Sequence, residues 1–322
     1  SAAVSQDDPE KTSLMARMQE RYRRWSSQTV FATLDLRRLP VASLARLAER
    51  PGLRPYRHFL LYQAVLAPHT LSEAEEKVVL KKNIGGRDAQ VRFREELAGR
   101  LDFGALRVNG EEKPMTFASL IALQENPDAD LRARARTRLN ETFLAQLPIF
   151  TFLYTNVVKD HGVEAELRGY AEPIDVENTP NEIPGQVVRN LVAAARKHLP
   201  ALHGYYKWKA GKLGLPRLRT CDLMAPYPGT EPASIPWSAS RGLVTEAFRR
   251  MDPALADEVG HFFDEGRLDA GPRRAKRPGA FCAPVPGGKP HVLLSSTETW
   301  GSLVTVASEL GHGGRFVLGA SE

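Results

Sequence analysis

Apolar residues recur at three- and four-residue spacing over most of the chain, with charged residues between them, and this period predicts a largely helical protein. Asp8-Pro9-Glu10 reads as a helix start, followed by a charged amphipathic stretch from Ser13 to Arg24. Val41 to Glu49 predicts a short helix closed by Pro51-Gly52, and Arg54 to Leu66 another, ended by Pro68. Thr70 to Glu73 and Ser72 to Glu75 both fit the S/T-x-x-E capping pattern and open a helix through about Lys82. Ala89 to Leu101 continues the helical series. The period then breaks at Ala105 to Phe117, where Asn109-Gly110 between short apolar stretches signals a hairpin turn. Helices resume at Phe117 to Gln124 and, after Asn126-Pro127-Asp128, at Ala129 to Leu147. The row Arg132, Arg134, Arg136 and Arg138 on that helix reads as a solvated face.

Prolines and polar residues from Gly169 to Pro184 mark the best candidate for a hinge or domain boundary. A helix follows over Gly185 to Lys197, then an aromatic segment in which Tyr205, Tyr206 and Trp208 read as helix packing. Ala225 to Trp237 predicts a loop, and Ala239 to Arg250 and Pro253 to Glu265 two amphipathic helices. From Leu268 the pattern turns to β, with short strands at Phe281 to Pro284 and His291 to Ser296 joined by a turn over Pro286 to Pro290. A last helix starts near Ser302 and reaches at least His312, where Gly313-Gly314 predict fraying. These elements divide as an N-terminal helical lobe over 1–180, with its β excursion near 103–117, and a second domain over 181–322.

Composition narrows the function classes. With 322 residues, 42% hydrophobic and 25% charged, the chain has the make-up of a globular protein. No run approaches the roughly 18 apolar residues needed to cross a bilayer. A net charge of +6 raises nucleic-acid binding, but the basic residues are interleaved with acidic ones, and the densest run, Arg273 to Arg277, is short. The expectation is therefore no nucleic acid and no membrane. Two cysteines, Cys221 and Cys282, are too few for a disulfide framework. The chain begins without a Met, so a removed export signal would leave no trace; the expected location is cytoplasmic. Nucleotide-binding glycine motifs and the serine-nucleophile elbow are both absent from the sequence.

Candidate chemistry concentrates in Ser308-Glu309-Leu310-Gly311-His312. In an H-E-x-x-H helix, two His one turn apart grip a zinc ion and the Glu serves as general base for the metal-bound water. Here Glu309 and His312 occupy the Glu and second-His positions, while Ser308 stands where the first His belongs. A hydroxyl is a poor zinc ligand beside imidazole.

Other segments, in order, give this motif a context. Arg168-Gly169-Tyr170, Asn181-Glu182-Ile183-Pro184, His203-Gly204-Tyr205-Tyr206-Lys207-Trp208-Lys209 and Asp222-Leu223-Met224-Ala225-Pro226 precede it. Gly266-Arg267-Leu268-Asp269 with Arg277-Pro278-Gly279-Ala280-Phe281, and His291-Val292-Leu293-Leu294, come next. Together they resemble the oligoendopeptidase F branch of the thimet-oligopeptidase-like (M3) zinc peptidases. That resemblance implies a mainly α, two-lobed peptidase scaffold around a channel, with a small β-sheet next to the metal-motif helix. It also implies zinc as cofactor and short peptides as substrates. His291 becomes a candidate substrate-binding residue, Glu309 the catalytic base and His312 a metal ligand.

Three departures accompany the resemblance: Ser308 in place of the first ligand, Arg315 where the family often has another His, and an end at Glu322 before the family's third ligand. The expectation is a homologue with zinc weakly bound or absent, inactive alone, which binds peptides beside a second protein chain or in an oligomer. An active oligopeptidase represented by a fragment or variant, and a helical scaffold protein, stay open as alternatives.

Overall fold

The computed structural model describes residues 9–230, 234–273, 276, 279–285 and 288–319. The fold is mainly α, with a two-stranded hairpin and a three-stranded sheet. The chain forms two compact units, one built from Ser13–Arg94 and Leu147–Leu202, the other from Glu95–Gln146 and the residues from His203 onward.

The first unit holds most of α1 (Pro9–Arg37), then α2 (Val41–Ala48), α3 (Arg57–Leu66), α4 (Glu73–Gly85) and most of α5 (Arg87–Arg100). To these it adds α8 (Leu147–Leu167), the single turn α9 (Asp175–Asn178) and the first part of α10 (Gly185–Lys212). Leu44, Ala48 and Leu60 form a small core between α2 and α3. The predicted cap of α4 is real: the Ser72 hydroxyl accepts from Glu75 N–H while the Glu75 carboxylate accepts from Ser72 N–H. Such a reciprocal cap satisfies two otherwise orphaned donors.

The Arg168-Gly169-Tyr170 segment acts here as a clasp. The Arg168 guanidinium donates to both oxygens of Glu76, at 2.7 and 3.1 Å, and to the Glu164 carboxylate at 3.1 Å. Tyr170 stacks on His69 with ring centroids 3.8 Å apart, and Gly169 ends α8 at φ +66°. A left-handed residue after the last helical turn is the place where glycine costs least.

In the second unit, β1 (Ala105–Val108) and β2 (Glu111–Pro114) pair antiparallel around Asn109 and Gly110 at φ 53° and 85°. Positive φ at both central residues is what a two-residue hairpin of the favoured twist requires, and Asn-Gly supplies it. α6 (Phe117–Ala122) and α7 (Ala129–Leu144) close a core of Phe103, Leu106, Leu120, Ala135 and Leu139. The arginine row on α7 is the solvated face that its charge pattern suggests only at Arg134, which stays exposed, whereas Arg132 is buried and Arg136 and Arg138 are half-buried. Arg132 is buried, Arg138 donates to the Phe103 carbonyl at 2.9 Å, Arg134 to the Arg107 carbonyl at 3.2 Å, and Arg136 to Gln124. Backbone carbonyls at the hairpin need donors, and long guanidinium side chains reach them.

The main core of this unit lies where α11 (Trp237–Arg249), α12 (Pro253–Asp264) and α13 (Trp300–Gly319) meet the three-stranded sheet. In that sheet β5 (His291–Leu293) is central, parallel to β3 (Leu268–Asp269) and antiparallel to β4 (Phe281–Ala283). The predicted turn over Pro286 to Pro290 falls partly outside the described residues, as does most of the basic run at Arg273 to Arg277.

Three features of two helices depart from the sequence expectations. α10 runs unbroken through Pro200 to Lys212, joining the helix and the aromatic segment into one. Tyr205 and Trp208 on it are 44% and 51% exposed and pack against Tyr227 rather than into a core. And α13 does not fray at Gly313-Gly314 but continues to Gly319. Both glycines are buried, and a Cβ on Gly313 would stand 2.4 Å from Cζ of Phe262, one on Gly314 2.3 Å from Cδ1 of Leu255. The missing side chains let α12 lie against α13, and that packing outweighs the helix propensity lost.

The contrast is measurable by denaturant unfolding. Gly313→Ala should destabilise by about 1–3 kcal/mol, the usual cost of overpacking a filled core. Gly204→Ala, on α10 with nothing within 4 Å of the new Cβ, should instead stabilise by about 1 kcal/mol. Equal effects at the two sites would contradict the close-packing account.

Candidate functional site

α13 is apolar on the side it buries. Leu303, Val306, Leu310, Gly313 and Gly314 face the core with Val244, Val259, Phe262 and Val292. The 3.6-residue repeat then turns Gly301, Thr305, Ser308 and His312 to the opposite side. Ser308 and His312 are exposed, and Glu309, between the two faces, is half-buried. The spacing that the motif requires is therefore kept: Ser308 and His312 share the outward stripe one helical turn apart, with Glu309 at its edge.

The helix packs against β4 and β5, and Glu309 lies near Cys282 of β4. Burial pushes the Cys282 thiol up, and the neighbouring Glu309 carboxylate adds to the shift. This places the glutamate beside an edge strand, since β4 pairs only with β5 among the described residues. His291 opens β5 opposite Ala283, with its ring exposed. Glu309 and His312 share α13, and His291 stands at the start of β5, one of the two strands against which that helix packs.

The donor set decides whether zinc fits. A catalytic zinc centre takes three protein ligands and keeps one position for water. The outward stripe of α13 supplies one imidazole, His312, with a hydroxyl at the other ligand position. Among the described residues no group of three or more His, Cys, Asp or Glu is placed to hold a metal ion. These residues do not fit a three-ligand zinc site.

Two charged clusters brace the unit that carries α13. Lys276, buried, donates to the Asp269 carbonyl at 2.9 Å, the Asp269 carboxylate at 3.0 Å, the Gly271 carbonyl at 2.9 Å and the Leu294 carbonyl. One ammonium thus ties the exit of β3 to the exit of β5. Arg273 clamps the same carboxylate at 2.7 and 2.8 Å, and these bonds, with the Lys276 ammonium, hold the Asp269 carboxyl down at about 2 against the penalty of burial. The second cluster is Asp222, fully buried, which accepts from Arg132 at 2.9 Å and from Arg219 at 2.8 and 3.1 Å. Burial alone would raise this carboxyl, but the two guanidinium groups outweigh it and hold it well below the usual carboxylate range. Sequence reading missed both clusters. Asp222 was visible only as part of a family-like motif, and Lys276 as a member of a basic run.

Comparison with known proteins fits this geometry. A family profile described as oligopeptidase F matches residues 36–103. The group B oligopeptidase PepB of Streptococcus agalactiae is 25% identical over 267 residues, covering 83% of this chain and 44% of its own length. The oligopeptidase PepF of Bacillus subtilis is 22% identical over 265 residues, covering 82% and 40%. The chain thus spans less than half the length of these relatives. Among solved structures, PZ peptidase A with an inhibitor superposes with a TM-score of 0.74 at 14% identity, over 97% of this chain and 54% of that one. The oligoendopeptidase F of Enterococcus faecium gives 0.64 at 23% identity, over 81% and 49%. At these identities the structural likeness speaks for the fold.

Proposed function

We propose, from the premise that the chain is an oligoendopeptidase F-like M3 peptidase homologue spanning part of its relatives' length, that it binds extended peptides without cleaving them. The observation that carries this reading is the outward stripe of α13, which keeps Glu309 and His312 at motif spacing on a helix packed against β4 but presents Ser308 where a second imidazole is needed. Val292, opposite Cys282, turns its N–H to β3, so Cys282 turns its own N–H and carbonyl away from β5, and in this reading an extended peptide adds there by main-chain hydrogen bonds. In this reading His291, at the neighbouring strand end, contacts the bound peptide. With a single imidazole at the two ligand positions of α13, Glu309 would have no metal-bound water to activate. The relatives' printed names as oligopeptidases support peptides as the ligand class.

The same helix also favours a covering partner. Trp300, Val304, Phe316 and Leu318 on α13 are 42–64% exposed. These side chains flank the Ser308–His312 stripe toward the two ends of the helix, and exposed apolar groups in such numbers ordinarily mark a surface that another chain covers. Another stretch of polypeptide, from a second chain or a second copy, would cover this face. A cytoplasmic location belongs to the same reading and agrees with the two free thiols, Cys221 and Cys282.

One experiment addresses both points. The chain is mixed with an internally quenched peptide in buffer with and without zinc; binding is followed by anisotropy, hydrolysis by mass spectrometry and particle mass by light scattering. Saturable binding, no cleavage above the peptide alone and a mass above the monomer are expected. Chelator-sensitive cleavage would overturn the non-catalytic reading, and a strict monomer at all concentrations would remove self-association as the cover for α13.

A further inference from the structure

The positive charge of the chain is concentrated near its start. Ten arginines, no lysine and three carboxylates fall between Ser13 and Arg57, an excess of seven where the whole chain nets +6. On α1 this charge is ordered. At about 100° of turn per residue, Leu14, Met18, Tyr22 and Trp25 share a stripe about 80° wide, and Arg17, Arg21 and Arg24 form a second stripe directly beside it. Glu20, on the far side of the arginines, is the one carboxylate of α1 between Ser13 and Phe31.

Little of this stretch is covered. The four apolar side chains are 48–67% exposed, and so are the three arginines open to solvent. From Ser13 to Trp25 only Met15 and Gln19 are half-buried among the described side chains. Arg17, Arg21 and Arg24 have no ion-pair partner among the described residues. Tyr22 and Trp25 lean together, with ring centroids 6.3 Å apart. A helical stretch of this length is marginal in water by itself, and a surface that takes up the apolar stripe would hold it.

We infer that this half of α1 docks on an anionic phospholipid surface, with the apolar stripe inward and the arginines against the headgroup phosphates. The make-up of the stripe selects this partner. Helices that zip together place Leu, Ile and Val along the seam, whereas Met, Tyr and Trp fill three of the four positions here. Tyr and Trp are the side chains that settle at headgroup level, ring inward and polar tip outward. Guanidinium groups engage phosphate oxygens two at a time, and their long stems keep the charge at the surface while the helix sinks. A nucleic acid would satisfy the arginines but leave Leu14 and Met18 in water. No described helix is long and apolar enough to cross a membrane, so α1 lies along the surface. The sequence expectation of no membrane rests on that missing crossing run, which a surface-lying helix does not need. Peptide binding beside α13 is not required for any of this.

The test uses the full chain and vesicles of phosphatidylcholine, with and without phosphatidylglycerol, followed by co-sedimentation and tryptophan fluorescence. Binding is expected to the anionic vesicles only, weakened by 1 M salt, with a blue shift of the emission. Each arginine near an anionic surface contributes about tenfold to partitioning, so the triple change Arg17→Glu, Arg21→Glu and Arg24→Glu should cost about a hundredfold or more. Trp25→Ser should cost about tenfold. Trp25→Phe should keep binding but lose the blue shift, whereas Trp300→Phe, on α13, should keep both. Circular dichroism verifies that the variants stay folded, and their binding of the quenched peptide should equal that of the unmodified chain. Equal binding to both vesicles, or a blue shift that survives Trp25→Phe, would overturn the assignment. So would full binding by Trp25→Ser, which would leave only a general attraction of arginine to anions. A shift with a designed acidic amphipathic peptide but with neither vesicle would give the stripe to a protein partner and equally refute the lipid reading. In each case peptide binding beside α13 stands or falls by its own measurement.

Discussion

Replacing Ser308 with histidine is expected to raise the affinity of this chain for zinc by about tenfold or more, equivalent to at least about 1.4 kcal/mol. The reasons are local. Ser308 and His312 lie one turn apart on the exposed stripe of α13, away from the buried face formed by Leu303, Val306 and Leu310. A new imidazole at 308 meets no packed neighbour, so the substitution should change stability by no more than about 0.5 kcal/mol, the usual range for a surface position. It would create the i, i+4 imidazole pair that grips zinc in the H-E-x-x-H arrangement. Competition against a chromophoric chelator measures the gain. Ser308→Ala should show none, and His312→Ala in the Ser308→His background should remove it. If Ser308→His binds zinc no better than the unmodified chain, the outward stripe of α13 is not arranged as a metal-motif face.

The largest loss of stability is expected at Asp222. Its carboxylate is fully buried and bonded to Arg132, whose side chain is 3% exposed, and to Arg219, which reaches solvent. Asp222→Ala leaves the Arg132 guanidinium buried without its counter-charge, and breaking a buried pair in this way costs about 3–5 kcal/mol. The Arg132 Nη1 bonds to the Asn126 and Pro127 carbonyls persist, but they carry no charge to offset it. Urea unfolding would read the loss as a lower midpoint, and the pH dependence fixes its cause. A carboxyl held below its unfolded value stabilises the fold at pH above the unfolded pKa of about 3.9. That contribution is lost as the pH falls through the depressed folded value. The unmodified chain should therefore lose stability below about pH 4 more steeply than Asp222→Asn. Asp269, held down at about 2 by Arg273 and Lys276, adds to the same acid limb. Parallel pH profiles for the two proteins would contradict this assignment.

Much of the architecture was legible because local signals and tertiary context agree. Ser72 with Glu75, Asn109-Gly110 and Asp128 each name a structural event through a hydrogen bond or a backbone angle, and each occurs where the residues place it. The outward stripe of α13 was equally readable, since helical period alone separates Ser308 and His312 from Leu310. Other features depend on what comes from elsewhere in the chain. α8 gave no one-sided period, because Phe152, Tyr154 and Val158 are exposed while Leu153 between them is buried. α10 continues past Pro200, where the lost N–H and the ring's clash with the preceding turn ordinarily favour a break. Gly313 and Gly314 looked like a weak helix end and are instead the contact surface for Phe262 and Leu255. Arg138 of α7 looked solvated because the carbonyl it serves, that of Phe103, lies 35 residues away in sequence. A 660 Å³ cavity lined by Phe103 and Phe117 gave no sequence signal, since its walls come from two distant segments, 98–125 and 272–305.

Whether α13 is a peptide-facing helix without a metal-holding role decides between the binding and the hydrolytic readings. Zinc content, measured by elemental mass spectrometry on the dialysed chain beside the Ser308→His variant, tests this most directly. Far less than one zinc per unmodified chain is predicted, with a clear gain in the variant. Near one zinc per unmodified chain, removed by His312→Ala, would mean that the site is completed by ligands other than those on α13, and the non-catalytic reading would be wrong.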